Sequence, residues 1–252
     1  MLGRTHIAVG ALGAIALYPA ILHMPWDTVS RILHSHSTGV TQTIVNEATV
    51  VFSAVVGSML PDLDQPDSLM AHRVERVGQL TVIAVLLASV FLLRLQGSLT
   101  AWIFVIALGW LSSTRRNASR LIGLGVLGLV IVALGLHHDM PVNAALLLAM
   151  WVIGAMFTHH RTFTHSLPGL AIFAMGINLG LKGLPFAHLT LAADGLILGY
   201  ILHLAADAVA GGVPVLWPWR RRLGIRLVRT GSMADHFIGG IATLAFLAFA
   251  VF

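Results

Sequence analysis

Cysteine is absent from the 252 residues. This excludes disulfides, thiolate zinc sites and cysteine nucleophiles, and it leaves the redox compartment open. Charge is scarce: 10% of the residues are Asp, Glu, Lys or Arg, against roughly 25% in soluble domains. No HExxH, GxSxG or P-loop pattern occurs, which removes the familiar motif-bearing routes to metalloprotease, serine-hydrolase and nucleotide-phosphate chemistry. No linker-like shift in composition divides the chain, so 1–252 is read as a single domain.

What the chain has is apolar length: 57% of its residues are hydrophobic. A helix needs about 20 apolar residues to cross a bilayer, within a range of about 17–25. Nine apolar segments near that length, several at its short end, can be marked, at about 5–22, 44–60, 79–95, 99–113, 120–136, 141–157, 166–184, 188–208 and 235–252. Pro, Gly and charge punctuate the gaps, as at Pro61, Gln96-Gly97, Arg115-Arg116 and Gly211-Gly212. The expected fold is therefore all-α, a polytopic bundle of about nine spans. The apolar run after Arg4 imitates a signal peptide, but no clear small-x-small site lies near Ala20, so a retained helix is expected.

The net charge of +5 and a pI near 11 would suit nucleic acid in a soluble protein. Here the arginines sit in short gaps between apolar runs, where topology asks for them, and no nucleic-acid partner is expected. Alternating the spans places Arg4, Arg73, Arg76, Arg115, Arg116, Arg120, Arg161, Arg220, Arg221, Arg222, Arg226 and Arg229 on one face. Arg31, Arg94 and Lys182 fall on the other. The first face is then cytoplasmic, with the N-terminus inside and the C-terminus outside.

On that map the polar residues gather at the cytoplasmic face. His6 opens the first helix, and Asp62 and Asp64 end the second. His159, His160, Arg161 and His165 lie between the sixth and seventh. His203 and Asp207 close the eighth, and Asp235 opens the ninth. His203 and Asp207 are four apart, which puts them on one helix face, and ionisable residues in membrane helices are costly and usually functional. Asp62, Asp64, Asp207 and Asp235 crowded together would repel, and divalent cations would balance them. Two ions are expected, with His6, His160, His165 and His203 as nitrogen donors. Mixed His/Asp ligands suit zinc first, then manganese or iron. The positive end of the seventh helix disfavours imidazolium at His165, so a neutral ring is expected there. Thr164 or Ser166 is positioned to cap that helix. Arg161 can grip a phosphate or carboxylate with two parallel bonds. Trp217-Pro218-Trp219 and the arginines after it form an aromatic–basic segment suited to interfacial anchoring beside anionic lipid, or to steering an anionic substrate. His34-Ser35-His36 and His137-His138-Asp139 fall on the opposite face and carry at most adventitious metal. Gly123-x-Gly125-x-x-Gly128 has nucleotide-loop spacing, but it lies inside an apolar span, where close helix packing is expected.

Thr5-His6, Leu60-Pro61-Asp62-Leu63-Asp64, His160-Arg161-Thr162-Phe163-Thr164-His165-Ser166, and His203-Leu204-Ala205-Ala206-Asp207 followed by Gly211 to Pro218 occur in this order. The set resembles the bacterial family of LexA-binding, inner-membrane-associated hydrolases, the YdjM-like membrane-bound metal-dependent hydrolases. Thr230-Gly231-Ser232 before Asp235 also looks like that family's distal element. The resemblance covers about 1–76 and 157–236, and 78–156 looks like a four-span insertion. Where the family often has His after Pro-Asp-x-Asp, this chain has Gln65. The resemblance implies metal-dependent hydrolysis in the inner membrane, remotely similar to zinc-dependent phospholipase C.

The expected activity is hydrolysis of a phosphoester, a phospholipid or lipid-linked phosphate, at the cytoplasmic face. The metal ligands expected are His6, Asp62, Asp64, His160, His165, His203 and Asp207, with Asp235 as a weaker eighth. Asp62 or Asp64 can serve as general base and Arg161 as the phosphate binder. The competing expectation is a membrane metal or ion transporter that uses the same cluster as its path. Such sites usually lie near the midplane between repeated halves, and no internal repeat is visible.

Overall fold

The structure is a computed structural model that describes residues 1–22, 27, 40–65, 68–92, 94, 96–114, 116–182, 187–219 and 221–251. The His34–His36 pair, Arg31, Arg115 and Arg220 lie outside the described residues. Nine α-helices are present among those described: α1 Gly3–Leu22, α2 Val40–Gly57, α3 Leu69–Leu92, α4 Leu99–Thr114, α5 Arg116–Leu136, α6 Val142–Phe157, α7 Leu167–Leu181, α8 Ala187–Ala210 and α9 Met233–Val251. A single 3-10 turn, Pro61–Asp64, follows α2. Among the described residues there is no strand, only an isolated bridge between Val213 and Leu223.

Thr41–Asp64, Ala118–Leu136, His188–Ala210 and Met233–Val251 are long and apolar enough to cross a bilayer, by length and composition. The apolar stretches Gly3–Leu17, Leu99–Trp110, Val142–Phe157 and Leu167–Leu181 are shorter. Large apolar side chains stand exposed along the outside of the bundle, among them Trp110, Leu129, Phe237 and Leu244. An outer surface of this kind suits lipid better than water.

Helix α3 differs most from its expected span. It begins at Leu69, about ten residues before the apolar run at 79–95, because its first turns are amphipathic. Ser68 caps it, its Oγ accepting from Ala71 N at 3.0 Å. In the second turn Glu75 is buried and pairs with His72 at 3.3 Å. Polarity hid a helix that length alone could not mark.

Helices α1, α2, α8 and α9 pack together, and α7 joins them through α8. The segments of the suspected insertion form a second group: α3 packs on α4 and α5, α5 on α6, and α6 on α7. Small residues allow the backbones to touch. A Cβ on Gly199 would lie 2.0 Å from Ala54 O, and one on Gly57 would lie 2.1 Å from Leu196 O. These glycines set the α2–α8 approach that lipid-embedded helices use in place of a hydrophobic driving force. Gly123 plays the same part between α5 and α3, where a Cβ would meet Val74 O at 2.3 Å. The Gly123–Gly128 spacing is thus helix packing, as its apolar setting suggested.

A prediction follows for the α2–α8 seam. Gly199→Leu should destabilise the detergent-solubilised chain by at least the cost expected for overpacking, about 1–3 kcal/mol, read as a lowered thermal midpoint. A midpoint equal to wild type would mean the two helices are free to part.

Candidate metal centre

Five separate segments deliver the candidate side chains to one end of the bundle. The first turns of α1 carry His6, and the 3-10 turn carries Asp62 and Asp64. The loop before α7 carries His160, Arg161 and His165. The last turns of α8 carry His203 and Asp207, and the first turn of α9 carries Asp235. His6, Asp64, His165, His203, Asp207 and Asp235 are at most 4% exposed. Ionisable groups buried in this number persist only when paired, hydrogen-bonded or bound to a cation.

The local sequence explains the presentation. Pro61 stops α2 and starts the 3-10 turn, which turns both carboxylates back into the bundle. Ser166, not Thr164, caps α7, accepting from Gly169 N at 3.2 Å. Thr164 is left free for a different task. Its hydroxyl donates to Asp64 Oδ2 at 2.6 Å, while Tyr200 donates to the Thr164 carbonyl. Trp151 Nε1 in turn donates to Tyr200 at 3.2 Å.

These bonds fix the histidine tautomers. Ser58 O lies 2.7 Å from His203 Nδ1. A carbonyl only accepts, so His203 Nδ1 carries the hydrogen and Nε2 has a lone pair. Thr164 Oγ spends its single hydrogen on Asp64, so at 3.1 Å from His165 Nδ1 it accepts. His165 Nε2 is therefore the ring position left for a proton or a metal ion. The two Nε2 atoms face each other at 3.2 Å. Two lone pairs at that distance repel unless a cation, metal or proton, sits with them.

Two carboxylates complete the group. Asp62 Oδ1 is 3.4 Å from His165 Nε2 and 3.7 Å from His203 Nε2. Asp207 Oδ2 is 3.6 Å and 3.9 Å from the same two atoms. Donor atoms of a tetrahedral zinc site, bonded at about 2.0–2.2 Å, stand about 3.3–3.6 Å apart. The five separations run close to that edge length, and two neutral imidazoles with two carboxylates are a donor set that zinc accepts.

The remaining candidates surround these four. His6 stacks on His203 with ring centroids 3.8 Å apart, and its Nε2 is 3.3 Å from Asp207 Oδ1. Its Nδ1 is buried and has no hydrogen-bond partner, a nitrogen left open for a cation. Donor atoms of His6, His203 and Asp207 lie within 4.8 Å of one another, as do those of Asp62, His160 and His165. The two triplets meet where His203 faces His165, so the residues can accommodate two neighbouring ions. Asp64 Oδ1 is 2.8 Å from His160 Nδ1, an arrangement that fixes the outward nitrogen of His160, as carboxylates behind metal ligands do. Arg161 Nη2 is 3.2 Å from Asp207 Oδ2, and the Met1 ammonium is 2.5 Å from Asp207 Oδ1.

Asp235 belongs to neither triplet. It accepts from Thr5 Oγ1 at 2.8 Å, Leu2 N at 2.9 Å and Gly231 N at 2.9 Å. Its carboxylate ties the start of α1 to the start of α9. His137, His138 and Asp139 sit at the far end of α5 and belong to neither triplet.

The neutral His165 expected from the helix end needs correction. Burial does pull its pKa down, but hydrogen bonds to Asp62 and Asp64 and their charges push it up to about 9. In the metal-free chain the proton takes the cation's place, because two carboxylates outweigh one helix terminus.

Sequence reading missed three contributors. Ser58 acts through its carbonyl, which carries no residue signature. Thr164 reads from the sequence only as a helix cap. Arg120, on α5 within the suspected insertion, donates to Leu63 O at 3.0 Å and to Ala155 O at 3.3 Å. It holds the carboxylate turn against α6. Its place at the start of an apolar run, 120–136, is the signal the sequence offers.

Two cavities adjoin the centre. One of about 680 Å³ opens on Asp62, Gln65, Ser68, His160, Arg161 and Arg4. The other, about 240 Å³, is an apolar groove between α7 and α8 lined by His165, Leu167, Leu170, Ile201 and Leu204.

A family model described as YdjM inner membrane protein matches residues 1–252. The Inner membrane protein YdjM of Escherichia coli (strain K12) is 43% identical over 84 residues, covering 31% of this chain and 41% of that protein. The Inner membrane protein YdjM of Shigella flexneri gives the same figures. The match thus spans less than half the length of these curated relatives. No solved structure matches.

Proposed function

The chain belongs to the YdjM inner membrane protein family, and from that premise we propose that it is a membrane-bound, metal-dependent hydrolase of phosphoesters. The observation that carries this reading is the pair of facing Nε2 atoms of His165 and His203, 3.2 Å apart and flanked by Asp62 and Asp207. His165, His203, Asp62 and Asp207 would hold one divalent ion, zinc by preference, with manganese or iron as alternatives. With two ions bound, the donors would divide between them, His6, His203 and Asp207 toward one and Asp62, His160 and His165 toward the other. Bound divalent ions supply Lewis acidity and lower the pKa of water into the neutral range.

The protein's own groups supply the rest. Arg161 projects its guanidinium to the edge of the centre and offers donors to a phosphate oxygen. Asp64, outside the four-donor group, is the carboxylate left to take a proton from water. Water attacks phosphorus, the ester P–O bond breaks, and the leaving oxygen departs as an alcohol that takes up the proton Asp64 removed from water. The apolar groove against His165 supports a substrate with a hydrocarbon part, such as a phospholipid or lipid-linked phosphate that approaches sideways through the membrane. In this reading the bundle crosses the inner membrane about nine times, the N-terminus is cytoplasmic, and the centre faces the inner leaflet.

Purified chain should release phosphate or phosphoalcohol from short-chain phospholipids. The activity should disappear on chelation and return with zinc, manganese or iron. Chain that binds metal, cleaves no phosphoester and carries metal across proteoliposomes would replace this reading with ion transport.

Orientation has its own test, since no native cysteine interferes. Single cysteines at Ser68 and Ser232 should resist an impermeant thiol reagent added outside intact cells and react once the membrane is opened. Labelling from outside would invert the topology.

A further inference from the structure

The chain beyond α8 folds back on itself beside the centre. Val213 and Leu223 exchange two backbone hydrogen bonds of 2.9 Å, closing a loop. Ile225 N and Leu227 N donate to Ala208 O and Val209 O, at 3.0 and 2.8 Å, and tie the returning chain to α8. Leu167 N donates to Val215 O at 3.0 Å, which ties the loop to α7. Trp217 stands edge-on to the buried ring of Phe163, with centroids 5.3 Å apart. The loop is thereby held opposite His160-Arg161-Thr162.

Between the two lies a cleft of about 270 Å³, lined by His160, Arg161, Thr162, Trp217, Trp219 and Arg222. No carboxylate is among the described residues that line it. His160 and Arg161 also line the larger cavity that opens on Asp62, so they form a wall shared between the cleft and the centre. Gly211 makes room for this wall: a Cβ there would come 2.7 Å from Arg161 Nη1. Arg161 takes a left-handed backbone, φ 57°, uncommon for a bulky residue. Its Nε is buried without a hydrogen-bond partner, a donor still to be used. Leu216, Trp219, Ile225 and Leu227 are exposed on the same loop, interleaved with arginines, the composition of a segment seated at lipid headgroup level.

We propose that this cleft is a headgroup subsite for an anionic phospholipid. Arg161 and Arg222 present planar donors that fit phosphate oxygens, and the tryptophans add apolar faces and indole N–H groups at the interface. A quaternary ammonium headgroup would find aromatic rings, but no carboxylate among the described lining residues to pair with and the exposed guanidinium of Arg222 to repel it, so the cleft disfavours it. The subsite deepens the hydrolase reading and rests on it only for the claim that the bound lipid is also the one cleaved.

The test is equilibrium binding without turnover, on metal-free full-length chain in maltoside micelles, followed by tryptophan fluorescence. Dihexanoyl phosphatidic acid should change the emission saturably and bind at least about tenfold tighter than dihexanoyl phosphatidylcholine, the worth of one charge-assisted contact. Trp217→Phe with Trp219→Phe should abolish the signal. Arg222→Glu, at an exposed position, should weaken binding by at least about tenfold and leave the metal bound per chain unchanged. Equal affinity for the two lipids, or undiminished binding in Arg222→Glu, would overturn the proposal. Inorganic phosphate binding as tightly as the acidic lipid would overturn the lipid assignment in favour of a soluble anion. Discrimination between the lipids without cleavage of any phosphoester would sink the hydrolase and leave the subsite. Cleavage without discrimination would do the reverse.

Discussion

Replacing His203 with Ala should leave a folded, membrane-inserted chain whose zinc affinity has fallen by more than about 100-fold, beyond the 10–100-fold typical of groups behind the ligands. His203 is fully buried, donates from Nδ1 to Ser58 O and aims Nε2 at His165. Its removal deletes a donor and the His6 stacking partner without shortening the apolar run of α8. Asp207→Asn should preserve volume and remove the charge that faces both His165 and Arg161. Its metal affinity should fall as well. If the pair were only a packing contact, Asp207→Asn would be mild and metal content would not change in either variant. Bound metal per chain, measured beside thermal midpoints, separates the two.

Thr164→Val should lower metal affinity by about 10–100-fold, although the side chain touches no proposed ion. Valine keeps the shape. It removes the donor to Asp64 Oδ2 and the acceptor for His165 Nδ1, so the carboxylate is left under-bonded and the ring loses the partner that fixes its tautomer. Thr164→Ser keeps the hydroxyl and should restore affinity to near wild type. Equal weakening by valine and serine would show that packing, not the hydroxyl, matters there. A pH dependence accompanies this geometry. His165 is protonated below about 9 in the metal-free chain, so an incoming ion displaces that proton. Affinity should rise with pH through the neutral range and level off above about 9. Titration in two buffers of different ionisation enthalpy would detect the released proton, and a pH-independent affinity would remove His165 from the ligand set.

The fold was legible where apolar length was the signal and illegible where polarity interrupted it. Alternating apolar runs brought His6, Asp62, His160, His203 and Asp235 to one end, and the structure joins their segments there. The amphipathic start of α3, with Arg73, Glu75 and Arg76, has no such length and reads as a gap between spans. Within the centre, residue types that bind cations could be named from the sequence. The bonds that orient them could not. Ser58 contributes a backbone carbonyl, Arg120 reaches Leu63 O across 57 positions, and Thr164 chooses between capping α7 and bonding Asp64 only once Ser166 takes the cap. Asp235 shows the same limit from the other side. A carboxylate that the alternation of spans places with the cluster is, in three dimensions, engaged by Thr5 and two backbone amides. The charge of His165 depended on how close Asp62 and Asp64 come, a distance that spacing along the chain does not contain.

The central claim is that His165, His203, Asp62 and Asp207 bind a divalent cation. The most direct test is zinc titration of the chelator-stripped full-length chain in detergent, beside a His165→Ala/His203→Ala double variant with the same thermal midpoint. Saturable binding of at least one zinc per wild-type chain, absent from the double variant, is the predicted result. Equal zinc per chain in both proteins, or none in the wild type, would contradict it.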